Sequence, residues 1–155
     1  TDGGGIEVSG NSTVLSGVQA DSCVSAEDGG AVLIEGNDCT IKDSSFNACR
    51  SVDDGGAIYV NGTNCLIDNS SMTGGWCISD KGGAIYFYGS DHTAKNCRLD
   101  SNIAMVDYGG AIFVDAENVT VDGCEFINNT AGNLQDNDKL SIDDSDVDLY
   151  SGGAL

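Results

Sequence analysis

Gly-Gly followed by a small residue and an aliphatic one recurs five times along the chain. The copies are Gly3-Gly4-Gly5-Ile6, Gly29-Gly30-Ala31-Val32, Gly55-Gly56-Ala57-Ile58, Gly82-Gly83-Ala84-Ile85 and Gly109-Gly110-Ala111-Ile112. Their starts, at 3, 29, 55, 82 and 109, lie 26, 26, 27 and 27 residues apart. A period of this length belongs to stacked, quasi-one-dimensional architectures in which each repeat is one supersecondary unit.

Aligned on the first glycine, the repeats hold Ile6, Val32, Ile58, Ile85 and Ile112 at the fourth place and Val8, Ile34, Val60, Phe87 and Val114 at the sixth. That alternation is a β-strand with one buried face. Gly10, Gly36, Gly62, Gly89 and Ala116 follow at the eighth place, and Ser12, Asp38, Asn64, Asp91 and Asn118 at the tenth. These residues accept positive φ or bond their own backbone, so they make a turn. A second strand places Leu15, Ile41, Ile67, Ala94 and Val121 inward. A second turn carries Gly17, Asp43, Asn69, Asn96 and Gly123. A third strand places Ala20, Phe46, Met72, Leu99 and Phe126 inward. The pattern predicts an all-β, right-handed parallel β-helix of about five coils, each of 26–27 residues with three short strands.

Residues 1–155 read as one segment of this solenoid. Thr1 is no natural start and a sixth copy, Gly152-Gly153-Ala154-Leu155, breaks off, so the expectation is a piece of a longer repeat protein. The formal charge of −19 argues against nucleic acid and anionic membranes as partners. No apolar run approaches the ~18 residues of a membrane span.

Gly109 to Ala131 carries the motif most fully, with Gly-Gly-Ala-Ile followed by Phe126-Ile127-Asn128-Asn129. These residues resemble the GGA(I/L/V) and FxxN repeats of the chlamydial polymorphic outer-membrane proteins, and similar repeats occur in adhesin-like surface proteins of methanogenic archaea. The resemblance covers residues 3–132. It implies an extracellular or cell-surface location, a passenger or stalk role, and no catalytic residues to carry over. Its partners would be flanking repeats or further copies through coil stacking, and surface proteins or glycans of neighbouring or host cells. Self-assembly into an extracellular fibre and a polysaccharide-binding or -degrading β-helix are the alternatives.

Six of the seven cysteines fall into neighbouring pairs: Cys23 with Cys49, Cys39 with Cys65, and Cys97 with Cys124. Coils ~4.8 Å apart bring such Cα atoms within disulfide range, but parallel side chains hold their Cβ atoms too far apart without a local twist. The pairs are therefore either disulfides or a buried ladder of thiols, with Cys77 left over. His92 shares a column with Cys39 and Cys65, which raises a metal reading against a packed interior.

Between the inward aliphatics stand Leu33, Tyr59, Tyr86 and Phe113, with Tyr88 beside them. The expectation is an exposed stripe that stacks on itself or docks a partner chain or sugar rings. Residues 133–148 form an acidic insertion in the last coil. Within it Asp144, Asp146 and Asp148 resemble the start of a calcium loop, without the glycine and closing glutamate of an EF-hand. A solvated acidic loop is the plainer reading, and calcium is the single cofactor candidate. Asn11, Asn61, Asn69, Asn118 and Asn128 begin N-x-Ser/Thr triplets and are candidate glycosylation acceptors. Arg50 and Arg98 do not share a column, and no pair of carboxylates stands out, so an enzyme is not expected.

Overall fold

The computed structural model describes residues 3–132, together with the backbone of two short strands, Ser141–Ile142 and Val147–Leu149. The described residues form a parallel β-solenoid of about five coils. Its registers pair Ile6 with Val32, Val32 with Ile58, Ile58 with Ile85 and Ile85 with Ile112. The Gly-Gly alignment is thus the pairing register, because a stacked coil satisfies its strand edges only against an equivalent coil.

Coils two to five carry four strands each, where three were expected. In the third coil these are Ile58–Thr63, Leu66–Asp68, Ser71–Thr73 and Trp76–Cys77. They belong in that order to the first, second, third and fourth sheets of the solenoid, of six, five, five and five strands. The fourth strand has only two residues. Its inward column, Ser25, Ser51, Cys77, Ala104 and Ala131, is small or polar and so carries no aliphatic signal. The stretch read as a loop also contributes strands. Ser141–Ile142 pairs antiparallel with Thr130–Ala131, and Val147–Leu149 pairs parallel with Ile112, Phe113 and Val114. Val147 and Leu149 flank Asp148 as aliphatics flank the fifth place in every other coil. The rest of 133–148 and the sixth Gly-Gly copy lie outside the described residues.

The core is a set of axial columns. Val32, Ile58, Ile85 and Ile112 are fully buried, as are Ile41, Ile67 and Ala94 in the second sheet and Met72 and Leu99 in the third. Burying each large aliphatic contributes about 1.5–3 kcal/mol, so the stacked columns are the main source of stability.

The two glycines of the motif do different work. The first has positive φ, from 47° at Gly3 to 74° at Gly82, a conformation that costs other residues about 1–2 kcal/mol. The second has no space for a side chain. A Cβ on Gly30, Gly56 or Gly83 would stand 2.1 Å from the carbonyl oxygen of the equivalent glycine in the next coil. Each motif is therefore a corner where one coil's backbone rests on the next.

Candidate functional site

The outward ladder of the first sheet runs through Leu33, Tyr59, Tyr86 and Phe113, in register from coil to coil. The rings of Tyr59 and Tyr86 stack with centroids 5.1 Å apart, and those of Tyr86 and Phe113 lie 5.2 Å apart and tilted. The ladder is not the exposed stripe expected. Leu33, Tyr86 and Phe113 are only 3%, 6% and 6% exposed, and Tyr59 is half-buried. The Gly-Gly corner lies close over it, since a Cβ on Gly109 would stand 2.8 Å from Phe113 Cβ, while the Lys81 ammonium sits 4.9 Å from the centre of the Phe113 ring. Tyr88, one column away, is open at 46% exposure.

Carboxylates flank the ladder. Asp28 accepts the Asp54 N–H at 3.1 Å, and Asp54 in turn accepts the Lys81 N–H at 3.1 Å. Burial pushes the Asp54 carboxyl up to about 7, helped by the neighbouring Asp80 and Asp28. Burial likewise raises the Tyr59 and Tyr86 phenols, with Asp28, Asp54 and Asp115 adding to it. Lys81 breaks the acidic column and pairs with Asp80 and Asp107 at 3.8 and 4.0 Å. This face tolerates its aspartates because their oxygens take backbone N–H groups of the next coil.

The structure brings all three cysteine pairs together, as free thiols. Cys49 donates to the carbonyls of Ala20 and Asn47, Cys65 to those of Gly36 and Thr63, and Cys97 to those of Ile67 and Lys95. Cys39 and Cys124 repeat the pattern toward Gly10 and Asn37 and toward Ala94 and Asp122. Burial pushes Cys49 and Cys65 up to about 11 and Cys77 up to about 12. Cys97 is raised further by its bond to Cys124, whose sulfur also accepts the Cys97 N–H at 3.4 Å.

Asparagine and serine fill the same columns. Asn102 donates to the Met72 carbonyl at 3.1 Å and Asn129 to that of Leu99 at 2.9 Å, a coil away, just as the thiols do. Asn129 Oδ1 accepts both the N–H and the side-chain amide of Asn102, and Asn102 Oδ1 accepts the Gly75 N–H. Ser44 and Ser70, stacked with Cys97 and Cys124, close the same kind of bond to Lys42 and Asp68. The corner columns thus accommodate a small donor, which Cys, Asn and Ser each provide, while Gly75 and Val18 stand in the same columns without one. The FxxN asparagine was a visible trace of this ladder, which sequence reasoning otherwise missed.

His92 is a core residue with both ring nitrogens satisfied. It is fully buried and stacked on Phe87 at 5.1 Å. Its Nδ1 accepts the Cys65 N–H at 3.3 Å, which leaves the proton on Nε2 to donate to the Tyr88 carbonyl at 2.9 Å. Burial lowers its pKa, so the ring is held neutral. Among the described residues no group of three or more His, Cys, Asp or Glu is placed to hold a metal ion. The calcium candidates Asp144 and Asp146 lie outside the described residues, and of Asp148 only its backbone pairing with Phe113 is described.

The five candidate acceptors Asn11, Asn61, Asn69, Asn118 and Asn128 are all exposed. Asn69 and Asn118 have positive φ and donate across coils to Asp43 and Asp91, at 2.8 and 3.1 Å. Lys42 and Lys95 stand in one column with Asp68 between them, and Arg98 pairs with Asp100 and Glu125. Trp76 lies in the fourth sheet, where its Nε1 is buried without a partner among the described residues.

A family model described as a right-handed beta helix region matches residues 3–153. No match to the chain is found among curated proteins or among solved structures. With the parallel register of five coils and a matched span of nearly the whole chain, the protein belongs to the right-handed β-helix family.

Proposed function

We propose that this β-helix is a structural, non-catalytic rod of an extracellular, adhesin-like repeat protein, in keeping with its resemblance to GGA(I/L/V)/FxxN surface proteins. The observation that carries this reading is where the polar groups spend their bonds. Asp28, Asp54, Asp43, Asp91, Asn102, Asn129, Ser44 and the paired cysteines bond along the axis to the neighbouring coil or to their own corner. Catalytic groups converge on one spot, whereas these repeat at each coil and stiffen it. The direct test incubates the chain with polygalacturonate and calcium and with neutral polysaccharides, reading new reducing ends or unsaturated products. No release, together with retention of chain-coated beads on cell surfaces, is expected; product release overturns the non-catalytic role, and loss of retention overturns the adhesive one.

A fibre subunit is the second reading, since every described coil pairs with its neighbour in parallel register and a further copy could continue the stack. Size-exclusion chromatography at rising concentration tests it, and a constant monomer volume argues against the fibre.

A further inference from the structure

We infer that the outward face of the fourth sheet, with the loop that follows it, docks a basic, amphipathic segment of a partner protein. The surface follows from register. Val24, Arg50, Trp76 and Ile103 stand in one outward column, while Ser51, Cys77 and Ala104 beside them are fully buried. Further along each coil, the Ile78 N–H donates to the Ser51 carbonyl at 3.2 Å and the Met105 N–H to that of Cys77 at 3.0 Å. Val52, Ile78 and Met105 therefore form a second column. Places two apart on an extended chain leave from the same face, so the two columns are neighbours on the surface.

This strip reverses the usual pattern. The second and third sheets turn Lys42, Asp68, Asn47 and Thr73 outward. Here Trp76, Ile103, Val52, Ile78 and Met105 are only half-buried, and Val24 and Val106 are 53% and 56% exposed. Single exposed apolar residues are ordinary, whereas contiguous ones along successive coils mark an interaction surface. Trp and Met are also among the residues enriched at protein interfaces. A partner has no strand edge to pair with on this face, because the edges of a solenoid point along its axis. Side chains must make the contact.

Charge selects the partner. Glu27, Asp53, Asp80 and Asp107 accompany the strip, one from each of four coils. Lys81 lies 3.8 and 4.0 Å from Asp80 and Asp107, a single ammonium shared between two carboxylates. Beside them burial pushes the Asp54 carboxyl up to about 7, with Asp80 and Asp28 adding to it, which reports the negative field of this face. Lys or Arg side chains of a partner would relieve that field while its apolar residues cover the strip. A second copy of the chain would instead set acid against acid.

A rod that lacked this interface would still be a rod, so the failure of either reading leaves the other standing. The test titrates peptides into the isotope-labelled whole chain and follows backbone amide shifts. The probe is a Leu/Lys peptide of about 14 residues patterned as an amphipathic helix. A Ser/Lys peptide keeps its charge, and a Leu/Glu peptide keeps its apolar face. Saturable shifts centred on Val52, Ile78 and Met105 are expected with the Leu/Lys peptide, and both controls should bind at least about tenfold more weakly. Asp53→Lys and Val106→Ser, both at exposed positions, should together weaken binding by about tenfold. Tyr88→Ser, on the first sheet, should bind as the parent does. Absence of shifts at about 1 mM Leu/Lys peptide overturns the proposal. So do shifts scattered over the acidic surface, equal binding of either control peptide, or undiminished binding by the folded double variant. Shifts on the strip that follow protein concentration without peptide would assign it to a second copy, and overturn it equally.

Discussion

Two kinds of corner hold the coils together, and they tolerate sequence change very differently. At the Gly-Gly corner the second glycine meets a carbonyl 2.1 Å from where its Cβ would be, so only one residue fits. At the cysteine–asparagine corner a side-chain donor faces a carbonyl of the preceding coil at most coils, and Gly75 stands there without one. There Cys49, Asn102 and Asn129 alternate freely. Steric demands are absolute because backbone cannot yield without breaking the register above and below. Chemical demands are met by any side chain of the right reach. That difference explains why the glycines repeat without exception while the donors vary.

The comparison can be broken most forcefully at Gly56. Gly56→Ala should cost more than about 3 kcal/mol or prevent folding, because the obstacle is the Gly83 carbonyl and not a flexible side chain. Thermal unfolding followed by circular dichroism reads it, and a near-parental midpoint would refute the steric account. Gly17→Ala is the matched control, with φ of 68° but nothing within 4 Å, and should cost only about 1–2 kcal/mol.

The donor corner should respond next. Asn102→Ala leaves the Met72 carbonyl and the Gly75 N–H without their side-chain partners and should cost about 1–3 kcal/mol in urea unfolding. The expected slope change is nil, since the buried surface is unchanged.

His92 and Asp54 sharpen the contrast through pH. His92 has its folded pKa lowered below the ordinary 6.5, so the unfolded chain binds the extra proton and stability falls as pH drops below about 6.5. Asp54 is raised from 3.8 to about 7, so the folded chain binds the extra proton and its contribution is lost as pH rises through that window. The two slopes oppose. Asp54→Asn should therefore uncover the histidine slope, at most about 1.4 kcal/mol per pH unit, in urea unfolding compared at about pH 5 and 7. An unchanged profile in the variant would refute the assignment to Asp54.

The smallest effect belongs to the cysteines. Cys49→Ser keeps a donor in place and should cost under about 1.5 kcal/mol, far less than the glycine change. Alkylation of the unfolded, unreduced chain should label seven thiols per molecule, and any shortfall would reveal a bridge.

The coil and its register were legible because glycine and aliphatic places recur with a constant period, and a parallel solenoid stacks like on like. The fourth strand was not, since its inward residues Ser51, Cys77 and Ala104 show no hydrophobic alternation. Tyr86 and Phe113 looked exposed for a related reason. Strand alternation says which face a side chain leaves from, but not whether a neighbouring turn folds back over it.

The sequence by itself determined the solenoid, the coil-to-coil alignment and the stacking of the cysteines, because each follows from a periodic pattern read along one dimension. Only the tertiary structure decided what those stacked groups do. It turned cysteines into carbonyl donors and His92 into a neutral core ring, and it buried most of the aromatic ladder that strand alternation had placed outside. Those outcomes depend on the angle at each corner and on which carbonyl lies within reach. The sequence marks the positive-φ corner residues, but how far each corner bends and which carbonyl it brings within reach is set only in space.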